Sequence, residues 1–180
     1  MFVMKLKLKF LLENLLNWAR SQSNRIEIKP NHFNINEIIN QNVDLLSSTA
    51  NHKAIKITVK TDDKLTVFAD EDSINLVIRN LLSNAIKFTR NEGAITISAY
   101  DNGKQVEVAI EDNGVGMNQE VMEKLFHIHS SYTSSGTNQE KGSGLGLVLC
   151  KDFVEKNGGE IRVESVLGKG SKFIFTVPGN

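Results

Sequence analysis

Apolar positions along residues 70–89 recur with the period of an α-helix. At about 100° per residue, Ile74, Val77, Ile78, Leu81, Leu82, Ala85 and Phe88 share one broad face, while Asn80, Asn84 and Lys87 gather on the other. Asp70 stands where an N-cap belongs. The pattern predicts a two-faced helix with one side in the core. Asparagine is a weak helix former that prefers caps and turns, so two of them a turn apart with a lysine behind suggest a ligand rich in oxygens. An amide oxygen coordinates a hard cation such as magnesium, and a lysine holds phosphate as a point charge.

The same reading runs through the rest of the chain. Leu8, Leu11, Leu12, Leu15, Leu16, Trp18 and Ala19 predict an amphipathic helix ending near residue 22, and residues 23–30 read as a linker. Residues 32–35 read as a short strand and 36–50 as a helix carrying Ile38, Ile39, Val43, Leu45 and Leu46. Two alternating, β-branched runs at 55–61 and 65–69 predict strands separated by a turn at 61–64. Asn91-Glu92-Gly93 and Asp101-Asn102-Gly103 bound the strands at 94–100 and 105–111, and Asn102-Gly103 between alternating runs marks a hairpin. A short helix at 118–126, a polar stretch at 127–141, a helix at 143–157 and a closing hairpin at 160–166 and 171–178 complete the series. Strands and helices are grouped and do not strictly alternate. The fold class is therefore an α/β two-layer sandwich, with a mixed, mostly antiparallel sheet covered by about three helices.

Composition narrows the class. Lys+Arg and Asp+Glu both number 21 in 180 residues, so the bulk charge favours neither nucleic acid nor an anionic membrane, and any anion is bound locally. Cys150 is the only cysteine, which excludes an internal disulfide and fits a reducing compartment; it reads as a small buried apolar residue. No apolar run approaches the ~20 residues of a membrane span, and Lys5, Lys7 and Lys9 interrupt what a secretion signal needs. The expected location is cytoplasmic, including the cytosolic part of a membrane-anchored protein.

Two glycine sets carry the candidate chemistry. Asp112-Asn113-Gly114-Val115-Gly116 closes a strand; its glycines allow a ligand close to the backbone, and its carboxylate can accept from an amino group. Gly142-Ser143-Gly144-Leu145-Gly146-Leu147 opens a helix, where unsatisfied N–H groups and the helix dipole favour an anion. Neither is a P-loop, since no Gly-Lys-Ser/Thr closes the second set, and that set follows no strand as a dinucleotide fingerprint does.

Taken together, NLLSNAIKFT at 80–89, DNGVGM at 112–117, LF at 125–126, GSGLGL at 142–147 and GKGSKF at 168–173 occur in one order and spacing. At residues 30–178 the chain resembles the ATP-binding catalytic domain of sensor histidine kinases, within the superfamily that includes gyrase, the MutL repair proteins and a heat-shock chaperone. The resemblance implies a Bergerat-type fold that holds ATP and Mg²⁺ between the 70–89 helix and a lid at 127–141. It implies that Asn84 coordinates the metal, Asn80 supports the metal or the phosphates, and Lys87 contacts phosphate or ribose. Asp112 takes the adenine amino group, and Gly114 and Gly116 give the ring room. Gly142, Gly144, Leu145 and Gly146 receive the phosphates, with Lys141 the cation placed to reach the γ-phosphate. Phe126 reads equally as a hinge anchor or as core packing.

Where the ATPase branches of the superfamily carry a glutamate four residues before the metal-binding asparagine, this chain has Asn80. A neutral amide is no general base, so the sequence looks built to present phosphate to an acceptor and not to hydrolyse ATP. The four histidines, His32, His52, His127 and His129, lack the context of a phosphoacceptor, and no residue in the chain is assigned a catalytic role. The expectation is a truncated kinase: residues 1–22 ending a dimerisation helix, 23–30 a linker, 31–180 the catalytic domain. Its partners would be ATP and a histidine-bearing dimerisation domain, with a response regulator indirectly and a weak homodimer through the N-terminal helix. Two other readings stand beside it: a serine kinase of the anti-sigma type, and a non-catalytic, nucleotide-dependent interaction domain.

Overall fold

The computed structural model describes residues 27–62, 64–126, 136–138 and 144–179. The N-terminal helix at 8–22, most of the 23–30 linker, most of the 127–141 lid, and Lys141 and Gly142 lie outside the described residues.

Strand β1 (Asn31–Asn34) leads into helix α1 (Ile35–His52), which is capped by Asn34 accepting from Asn36 N at 3.0 Å. The buried stripe of α1 is Ile35, Ile38, Ile39, Asn42, Leu46 and Ala50. Asn42 thus takes a place on the core face, and Leu45, assigned to the apolar set, is 47% exposed. The polar side chain is tolerated there because its Nδ2 donates to Ile38 O at 2.8 Å and to Asn75 Oδ1 at 2.7 Å. His52 closes α1 and does not lie past it, and His32 sits in β1 with its ring 4.8 Å from that of Phe68.

The two strand runs before the central helix part company. Strand β2 (Lys56–Thr61) pairs in parallel with β4 (Ala94–Asp101), whereas β3 (Thr66–Ala69) pairs antiparallel with β1 in a separate two-stranded sheet. Strand β5 (Gln105–Asp112) follows β4 by the Asn102-Gly103 hairpin. Strands β6 (Ile161–Val166) and β7 (Gly170–Pro178) close the main sheet in the order β2-β4-β5-β7-β6. Val106, Val108 and Ile110 of β5, with Phe173, Phe175 and Val177 of β7, join one buried core with the helices. The opposite sheet face mixes polar groups with the buried Ala109–Ile174 pair, and on it Glu107 accepts from Tyr100 Oη at 2.5 Å and from Arg162 Nη2 at 3.0 Å.

Helix α2 (Glu71–Phe88) occupies the centre of the helical layer. Asp70 caps it by accepting from Ser73 N at 2.8 Å, and also accepts from Lys29 N at 2.9 Å, which ties the last linker residues to the domain. A short helix, α3 (Gln119–Lys124), follows the Asp112 loop, and α4 (Gly146–Lys156) packs on α2. Helix α4 begins three residues later than the sequence pattern predicts, because Gly144 takes φ +73° and Leu145 serves as the N-cap. The resulting α/β sandwich agrees with the expected fold class.

Candidate functional site

Helix α2 brings three predicted residues along one edge of the layer. Asn84 and Lys87 are half-buried near its C-terminal end, with Lys87 Nζ 4.6 Å from the centre of the Phe88 ring. Asn80 departs from the exposed polar side that its position on the isolated helix suggests: it is 3% exposed. The cause is α4, whose first residue comes so close that a Cβ on Gly146 would stand 3.2 Å from Asn80 Oδ1. Asn80 therefore faces the N-terminus of α4. A helical wheel of α2 alone cannot show the arrival of a second helix.

The Asp112 loop is folded against the end of α2. Val115 N donates to Phe88 O at 3.2 Å, and a Cβ on Gly114 would collide with that same carbonyl oxygen. Gly116 takes φ +62°, and a Cβ there would strike Val166 O at the end of β6. Only glycine fits such contacts at both points. The Val115 carbonyl in turn accepts from Gly168 N at 2.7 Å, so the loop is held on both sides by backbone.

This packing buries Asp112 to 6% exposure. Its Oδ1 accepts from Gly114 N at 2.8 Å, and its carboxyl also accepts from Ser171 N. Burial outweighs these two bonds and pushes the carboxyl up to about 6, with the nearby charge of Glu111 adding to the rise. A carboxylate near neutrality, held at the end of a tight glycine loop, is suited to accept from a neutral amino donor.

Gly144 and Leu145 precede α4, and Gly146 begins it. The Leu145 side chain makes no cap bond, and the first turn carries no acidic residue. A helix N-terminus carries partial positive charge and suits an anion. Among the described residues no cluster of three or more His, Cys, Asp or Glu forms a metal-holding group. The donors at hand for a cation are the amide oxygens of α2, hard ligands that suit magnesium arriving with phosphate oxygens. No helix of the described residues is long and apolar enough to cross a membrane.

One residue escaped the sequence reading. Lys53 follows α1 in what reads as a solvated turn, yet it is 4% exposed with its ammonium against the C-terminal end of α2. Its only sequence clue is its place between the buried Ala50 and Ile55.

Residues 69–180 match the family described as histidine kinase-, DNA gyrase B-, and HSP90-like ATPase. The chain belongs to this family, as an ATP-binding catalytic domain of the sensor histidine kinase type. Over 170 residues it is 31% identical to Sensor histidine kinase GacS of Pseudomonas protegens, an alignment spanning 91% of this chain and 18% of that protein. The catalytic domain of histidine kinase ThkA superposes with a TM-score of 0.73 at 32% identity, over 84% of this chain and 96% of ThkA's. Full-length ShkA, solved in complex with AMPPNP, gives a TM-score of 0.79 at 27% identity, over 94% of this chain and 35% of that one.

Proposed function

We propose that the chain binds ATP between α2, the Asp112 loop and the start of α4, and donates the γ-phosphate to a histidine on a dimerisation domain. The observation that carries this reading is Asp112, a buried carboxyl whose loop is tied through Gly114 and Val115 to Phe88 O, at the end of the helix that bears Asn84 and Lys87. Asp112 accepts from the adenine amino group, and the glycine loop gives the ring room. Lys87 meets phosphate or ribose. The N–H groups at Gly144, Leu145 and Gly146 take the phosphates; Lys141 and Gly142 join that set by resemblance to the family.

Asn84, with Asn80 supporting the metal or the phosphates, would hold magnesium, which would supply neutralisation of phosphate charge. The chain supplies position: with a neutral amide at Asn80 and no carboxylate there to activate water, the phosphate is kept for an acceptor. Residues 31–180 form the donor domain, residues 1–22 supply part of a dimerisation helix, and residues 23–30 join them. Full-length GacS and ShkA extend far beyond the matched segment, and transfer by this chain calls for a supplied histidine-bearing domain.

The test is calorimetric titration of ATP, with and without magnesium, followed by transfer from radiolabelled ATP to a supplied dimerisation domain. Micromolar binding, about −8 kcal/mol, together with an acid-labile phosphorylated histidine supports the reading. An acid-stable phosphoserine on a small partner would favour the anti-sigma type of kinase, and binding with no transfer to any acceptor would favour an interaction domain.

A further inference from the structure

Lys53 lies outside the nucleotide-contacting set, yet its ammonium reaches the part of the fold on which that set depends. Nζ donates to Ile86 O and Lys87 O, both at 3.0 Å, and to Thr137 Oγ1 at 2.8 Å, with Thr89 O further off at 3.4 Å. An ammonium has three N–H donors, and among the described residues these short contacts give it acceptors. Two acceptors are carbonyls of the last turn of α2, where the helix dipole presents its negative end to a cation. The third comes from residues 136–138, far along the chain and part of the stretch that leads to α4.

Thr137 adds bonds of its own to the same carbonyls. Its N–H donates to Lys87 O at 3.1 Å, and its Oγ1 lies 3.2 Å from Lys87 O and 2.9 Å from Thr89 O. The neighbouring carbonyl, Phe88 O, receives Val115 N from the Asp112 loop. One turn of α2 therefore joins three things: the helix bearing Lys87, the loop bearing Asp112, and the segment running toward Gly144. Lys53 bonds to this turn and to Thr137 directly. Burying a cation is costly unless its hydrogen bonds are made, and the short contact to the Thr137 hydroxyl is one of those that offset the cost.

We propose that Lys53 is a positioning residue for nucleotide binding, acting by clamping Thr137 to the C-terminal turn of α2 and so fixing Lys87 and the adenine loop in register. The inference rests on the nucleotide-binding reading above and adds to it a residue that touches no nucleotide. Thr137 is the other half of the clamp.

The experiment measures the ATP dissociation constant by calorimetry, well below each variant's melting temperature, for wild type, Lys53→Met, Thr137→Val, Thr137→Ser and the double variant Lys53→Met/Thr137→Val. Leu46→Ala, in α1 and outside the site, controls for loss of stability. The expected result is at least a fivefold rise in the constant for Lys53→Met and for Thr137→Val, with Thr137→Ser close to wild type. The double variant should be no weaker than Lys53→Met alone. Wild-type affinity in both Lys53→Met and Thr137→Val, or an equal loss in Leu46→Ala, overturns the proposal. If wild type binds no ATP, the nucleotide reading itself falls. Hydrogen exchange at the Thr137 amide then decides the clamp: faster exchange in Lys53→Met but not in Leu46→Ala supports it, and unchanged exchange overturns it.

Discussion

Replacing Asp112 by asparagine should separate folding from binding, because the two make opposite demands on that side chain. A carboxyl raised from 3.8 to about 6 costs the folded state ~3 kcal/mol at pH 7. Asparagine removes that cost and keeps an oxygen to accept from Gly114 N. It also turns an N–H₂ toward Ser171 N, a donor facing a donor, which returns ~1–3 kcal/mol. The net change in stability is then between about zero and +2 kcal/mol, so Asp112→Asn melts no lower than wild type. Binding moves the other way. Losing a charged acceptor for the adenine amino group costs ~1.5–3 kcal/mol, or roughly 10- to 150-fold in ATP affinity. Thermal unfolding and calorimetry on the same samples check both halves. A variant that melts well below wild type, or that binds ATP as tightly, would refute the assignment of Asp112 as a buried, ionised acceptor.

The remaining predictions follow from the same loop and helix. ATP affinity should fall as pH is lowered from 7 to 5, as Asp112 protonates through about 6, and should fall more steeply in wild type than in Asp112→Asn, which keeps only the titration of the ATP phosphate over that range. The stability contribution of this carboxyl has the reverse sign: its folded pKa is raised, so the contribution is fully present below 3.8 and lost as pH rises through about 6, which urea titrations across that range can read. Gly116→Ala, with φ +62° and a Cβ against Val166 O, should lose ~1–3 kcal/mol in urea unfolding and most ATP binding. Asn84→Ala should abolish the magnesium-dependent part of ATP affinity while leaving metal-free binding nearly unchanged, as calorimetry with and without the ion will show.

Much of the fold was legible because period reports which face of an element is buried. The ranges of β4, β5 and α2 follow from alternation and helical spacing to within a residue or so. Period says nothing about partners. The runs at 55–61 and 65–69 look alike in sequence, yet one enters the main sheet in parallel with β4 and the other pairs with β1, a choice made by tertiary packing. The same gap explains the side chains that were misplaced. Leu45 gives up the core face to Asn42 because Asn75, on another helix, satisfies its amide, and Asn80 is buried because α4 lies over it. Of the site, the Asp112 loop was readable from its glycines. Lys53 was not, since a lysine after a helix end is usually solvated, and the carbonyls of a helix 33 or more residues away and the Thr137 hydroxyl that satisfy it are distant in sequence.

These cases share a cause that bears on how the site works. Asp112, Asn80 and Lys53 are polar groups drawn into the interior: Asp112 accepts from the backbone of Gly114 and Ser171, Asn80 lies under the start of α4, and Lys53 donates to carbonyls at the end of α2. Such groups add little net stability, since desolvation offsets what their hydrogen bonds return. What they supply is geometry. A carboxyl that folding alone would prefer protonated is kept at the start of the Gly114–Gly116 loop, where, on the proposed reading, its ionisation would serve the ligand and not the fold. The expected outcome is a domain whose nucleotide site is more sensitive to single polar substitutions than its melting temperature is, and Asp112→Asn is the variant in which the two part most widely.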